Sequence, residues 1–133
     1  AIWLQTLLEC VKPSTNTSAI PAEVICRVAT GITVTAGTAP FPELSPEVYD
    51  GGQTVNAHQG HHSSAEIVEH GGDVTGLDSR VVWLPLDNIG LAVLKNDDDA
   101  GFTSSDRIKY RLIEVALGFN QVDWSSRFAI PST

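Results

Sequence analysis

In the stretch Val68-Glu69-His70-Gly71-Gly72-Asp73, a histidine lies between two carboxylates and is followed by two glycines. Glu69, His70 and Asp73 are the residue types that serve as general acids and bases. Glycines at a strand end permit a bulge or a positive φ, and they strip away side chains so that a ligand's backbone can approach. The stretch is therefore a plain turn, one wall of a binding site, or an acid/base set, and the surrounding chain must decide among these. Three further histidines, His58, His61 and His62, lie close to His70 together with Glu66. Zinc uses such ligands, but catalytic zinc patterns on helices place two histidines one turn apart around a glutamate, and "HQGHHSSAEIVEH" does not. A solvated polar loop accounts for these histidines, except His70. On a strand, His70 shares a face with Glu66 and Val68 at the strand's end, where a side chain can point into a cleft. In "NDDDAG", a calcium loop starting at Asn96 would need an oxygen ligand at Ala100 and a carboxylate at Arg107. Both are absent, so this segment reads as a solvated turn. No metal or cofactor is expected.

The elements that must position these groups follow from periodicity. "AIWLQTLLE" places Ile2, Trp3, Leu4, Leu7 and Leu8 on helical spacing, with no capping residue ahead of it and no initiator methionine, as after maturation from a longer precursor. Pro21 followed by "AEVICRVAT" and Gly31 reads as a second helix, so residues 1–31 form a helical hairpin. Cys10 and Cys26 are either a disulfide or two buried thiols on neighbouring helices. Asn16-Thr17-Ser18 matches a glycosylation acceptor. Residues 32–64, rich in Pro, Gly, Thr and Ser without a sustained period, read as a long wrapping loop. Three strand-like runs follow, Ala65–His70, Ser79–Leu84 and Ile89–Lys95, separated by "GGDVTG" and "PLDN". They predict a three-stranded antiparallel meander over 65–95. Its second and third strands are apolar on both faces, which requires covering helices. One such helix is expected over 104–117, with Thr103 to Asp106 as a capping box, an apolar stripe of Ile108, Leu112, Ile113, Ala116 and Leu117, and Gly118 as the stop. Residues 119–133 read as a tail. The expected class is α+β.

The 133 residues suit one domain, able to bury roughly two-thirds of its unfolded surface. Eight basic against sixteen acidic residues give a net charge of -8, which repels phosphate backbones and anionic headgroups. Neither nucleic acid nor a membrane is an expected partner, and no apolar run is long enough to span a bilayer. Nothing resembles a signal peptide, although an exported disulfide protein remains one reading of the cysteines.

The order "IVEHGGDVTGLDSRVVWLPLDNIGLAVLKNDD", the helix "IKYRLIEVALG" and then "VDWSSRF" resemble the C-terminal part of fungal-type members of the serine β-lactamase, penicillin-binding protein and esterase superfamily. "WLQTLLE", "IPAEVI" and "GTAPFPELSPEVY" are similar to segments that precede the terminal sheet in such proteins, so the resemblance covers most of the chain. In that family a strand carrying Lys-Thr-Gly, His-x-Gly or a variant lines the active site opposite a nucleophilic serine, and His70-Gly71-Gly72 stands at that place. The resemblance implies that a cation at His70 attracts an anionic substrate group while Gly71 and Gly72 admit the substrate's backbone. A histidine carries that charge only when protonated, unlike lysine.

The family's nucleophile lies in Ser-x-x-Lys, and no serine here has lysine three positions on; Ser105 has Ile108. The Tyr-x-Asn or Ser-x-Asn motif is missing too, since Tyr49 leads into Asp50-Gly51 and Tyr110 into Arg111-Leu112. The expectation is therefore a C-terminal portion that supplies the substrate-facing strand and cannot hydrolyse alone. The alternative is a matured, non-catalytic binding protein of lectin-like or defence type. The candidate ligand-binding residues are His70, Gly71, Gly72 and Asp73, for a small-molecule, peptide or carbohydrate ligand. In that family the strand matching Ile89–Lys95 pairs with an N-terminal strand absent here, so the resemblance implies an open sheet edge at the uncharged run "IGLAVL". The expected assembly is a homodimer or a complex with the missing N-terminal half.

Overall fold

The computed structural model describes residues 2–10, 20–60, 64–97 and 103–129. Along the chain these form α1 (Ile2–Leu8), α2 (Ala22–Val28), β1 (Thr33–Ala36), β2 (Glu47–Asp50), β3 (Gln53–Gln59), β4 (Ser64–Val74), β5 (Leu77–Leu84), β6 (Ile89–Lys95), α3 (Thr103–Leu117) and α4 (Trp124–Arg127). The strands make one six-stranded sheet in the order β1-β2-β3-β4-β5-β6. Pairing is antiparallel from β1 through β4.

The expected three-stranded sheet is thus corrected to six strands, although the class remains α+β in broad terms. The segment read as a loop over 32–64 supplies β1, β2 and β3. Two physical reasons account for the miss. Both faces of β3 carry buried residues, Val55 on one and the polar Asn56 and His58 on the other, so the alternation of apolar and polar residues that marks a half-buried strand is lost. The hairpin joining β2 to β3 is also minimal. Asp50 pairs with Gln53, and Gly51 and Gly52 both take positive φ, 54° and 82°, as a tight two-residue hairpin loop demands.

The chain divides into two compact units, residues 1–70 with 81–91, and residues 71–80 with 92–133. In the first, register places Val48 opposite Val55 and Val55 opposite Val68, so all three project from one face of the sheet. Leu7 of α1 and Ile25 of α2 pack there with Val55, Val68 and Trp83 as a buried cluster. Helices of seven residues do not persist alone in water, so α1 and α2 depend on this burial. They depend also on a disulfide between Cys10 and Cys26, whose Cα atoms stand 4.9 Å apart. Of the two readings of the cysteines, the bonded one holds.

In the second unit, α3 begins at Thr103 and ends where Gly118 turns left-handed at φ 68°. Its buried face differs from the expected stripe. Ser105, Lys109, Tyr110, Ile113 and Glu114 are buried, whereas Ile108 and Leu112 are 47% and 41% exposed. The cause is the polar surface that α3 meets. Arg80 of β5 donates to both carboxylate oxygens of Asp106, at 2.9 and 3.3 Å, and Lys109 Nζ lies 3.0 Å from the same carboxylate. Ser105 donates to Asp78, and Lys95 Nζ stands 3.3 Å from Asp78. Such buried charges are tolerated because each is paired. The expected tail contains α4, where the side chain of Asp123 accepts from the amide of Ser126 and Trp124 stacks on Tyr110 at 4.5 Å. Glu114 accepts from Trp124 Nε1 at 2.7 Å and from the Val122 amide at 3.2 Å, fastening this segment to α3.

Candidate functional site

β4 is longer than the run Ala65–His70 because it continues through Gly71, Gly72 and Asp73 to Val74. The turn lies further on, at Thr75 and Gly76, the latter with φ 80°. Gly71 and Gly72 therefore sit inside a strand, and neither takes a positive φ. What requires glycine at 71 is a close approach. A Cβ there would fall 1.8 Å from Nη1 of Arg80 and 3.0 Å from its Cζ. The guanidinium that anchors Asp106 thus lies directly against the strand backbone. At Gly72 a Cβ would stand 2.8 Å from Oγ of Ser79, which donates to the Gly72 carbonyl at 3.2 Å.

Alternation along β4 turns Glu66, Val68, His70 and Gly72 to one face and Ile67, Glu69 and Gly71 to the other. Ile67, Val68 and Glu69 are buried in succession, as in a strand covered on both faces, whereas His70, Gly72 and Asp73 are exposed. Register with β3 ends at Thr54 opposite Glu69. Among the described residues β4 has no partner in β3 beyond Glu69. A strand carrying two glycines is the form against which an extended ligand can lay its main chain.

The remaining sequence candidates are dispersed. Glu69 turns to the face opposite His70, which separates the carboxylate and imidazole of the acid/base reading. His58 is buried, and His61 and His62 lie outside the described residues, as do Asn16 and residues 98–102 of the acidic turn. Among the described residues no group of three His, Cys, Asp or Glu side chains is arranged to hold a metal ion. Ser105 is fully buried and donates to Asp78, so its hydroxyl meets no substrate. Sequence reasoning did not find Arg80. Its only signal was an arginine two residues after an aspartate in the polar first half of β5, and its role depends on Gly71 lying opposite.

A second concave surface lies wholly in the first unit. Val48, Val55, Glu66 and Leu86 are common to two adjoining depressions of about 340 and 390 Å³, one reaching Ser45 and Ser64 and the other the Cys10–Cys26 disulfide.

Neither family models, curated proteins nor solved structures match this chain. No described helix is long and apolar enough to cross a membrane.

Proposed function

We propose that this chain is the C-terminal, substrate-facing portion of a serine hydrolase of the β-lactamase, penicillin-binding protein and esterase type, inactive in hydrolysis without the portion that carries the nucleophile. The observation that carries the reading is the form of β4. His70 is exposed and followed by Gly71 and an exposed Gly72, on a strand segment that outruns its neighbour β3. His70 presents an ionisable side chain to a ligand's anionic group, Gly72 carries no side chain of its own and has the Ser79 hydroxyl beside it, and Asp73 follows on the same strand. Gly71 has a different part, since it admits Arg80 from the other side.

The partner in this reading is a second copy or the complementary half, joined through β6. Supporting this, β6 ends the strand order, and no charge interrupts Ile89 to Leu94. Leu94, at 76% exposure, is the most exposed large apolar side chain in the sheet. The unpaired backbone of such a strand recruits another strand.

The test measures chromogenic ester and β-lactam hydrolysis by the pure 133-residue chain, alone and mixed with an N-terminal portion carrying Ser-x-x-Lys. Turnover only in the mixture, lost on His70→Ala, is the expected result. Turnover by the chain alone that a serine-directed inhibitor abolishes would defeat the proposal.

A further inference from the structure

We infer that the groove of the first unit binds a small organic cation with an apolar body, a primary ammonium on a short alkyl or aryl group. This inference is independent of the hydrolase reading, because none of its residues lies in the segment His70–Asp73.

Ala57 pairs with Glu66, and Val48 with Val55, so these four side chains share one face of β2, β3 and β4. A basic residue directly across the strand pair would offset the charge of Glu66. Opposite Glu66 stands an alanine, which offers neither charge nor hydrogen bond. Among the described residues the Glu66 carboxylate makes no ion pair or hydrogen bond. It stands instead in a depression walled by Val48, Val55 and Leu86, the last 70% exposed at the rim. A lone anion flanked by apolar walls matches an ammonium ion with a hydrocarbon tail, because the tail covers the walls while the head meets the carboxylate.

Charge distribution points the same way. The first unit carries eight Asp and Glu residues against two basic ones, Lys12 and Arg27. This unit therefore bears most of the net charge of -8 and draws cations towards the groove. An anionic or neutral ligand of the same shape gains nothing from that field. The volumes of about 340 and 390 Å³ fall at the small end of ligand pockets and readily admit a short-chain amine. Ser45 and Ser64 at one end offer hydroxyls to the ammonium's remaining protons, although Ser45 Oγ already accepts from the Ala57 amide at 2.8 Å.

The probe is n-pentylammonium, followed by amide chemical shifts of the intact chain, with 1-pentanol and pentanoate as matched controls. Saturable shifts confined to residues around Val48, Val55, Ala57 and Glu66 are expected with the amine. Pentanol should bind more weakly and pentanoate not at all. Glu66→Gln is exposed and isosteric, so it leaves the fold in place. It should weaken the amine about two- to five-fold, the range an exposed ion pair yields, and about 0.5 M NaCl should do the same to the unaltered chain. Equal binding of pentanol and pentylammonium, an unchanged affinity in Glu66→Gln, shifts centred on another surface, or no saturable shift would each overturn the inference.

Discussion

Replacing Gly71 with alanine tests the contact on which the candidate strand depends. The new Cβ would lie 1.8 Å from Arg80 Nη1, so the guanidinium must withdraw. It is held by two hydrogen bonds to Asp106, at 2.9 and 3.3 Å, and its side chain is only 13% exposed. A charge-assisted hydrogen bond contributes about 1.5–3 kcal/mol when buried, and withdrawal weakens at least one of the two. Asp106 keeps Lys109 at 3.0 Å, which limits the damage. Against this, alanine narrows the unfolded ensemble and stabilises by about 0.4–1 kcal/mol where φ is compatible, as it is here. The net expectation is a loss of about 1–2 kcal/mol in urea unfolding, read as a lower midpoint at constant slope. The decisive measurement repeats the substitution in an Arg80→Ala background, where no guanidinium opposes the methyl. There Gly71→Ala should be neutral or slightly stabilising, giving a coupling of about 1.5–3 kcal/mol in the double-mutant cycle. A Gly71→Ala protein as stable as the parent, or the same loss in both backgrounds, would refute the account of Gly71 as the seat of Arg80.

Reducing Cys10–Cys26, which spans 16 residues of chain, should cost about 3 kcal/mol, checked by urea unfolding with and without a phosphine reductant. Glu114→Ala leaves the Trp124 indole N–H and the Val122 amide without their acceptor, at about 1–3 kcal/mol for each buried donor, and indole fluorescence should report the loosening of Trp124 alongside the lower midpoint. Leu94→Lys places a charge on the β6 edge and should convert a dimer to a 14.2 kDa monomer in sedimentation, whereas a parent chain already monomeric at micromolar concentration would remove the proposed pairing.

The helix α3 was legible because local chemistry specifies it: a run of serines and an aspartate opens it, and only a residue free of Cβ strain closes it comfortably at Gly118. The later strands were legible for a related reason, since Val81–Leu84 and Ile89–Leu94 are apolar enough to require burial wherever they lie. The earlier strands were hidden. A buried Asn56 or His58 looks like a loop residue until the surrounding chain supplies its environment. The helical face of α3 shows the same limit. Apolar spacing selected Ile108 and Leu112, but Asp78, Arg80 and Lys95 from β5 and β6 select Ser105, Asp106 and Ser104 as partners. At the candidate site, the sequence by itself determined that a histidine and two glycines would stand together on or beside a strand. Only tertiary structure decided what each does. Strand alternation exposes His70 and Gly72 on one face, and it turns Gly71 to the other, where the guanidinium of Arg80 from the following strand occupies the space a side chain would have filled.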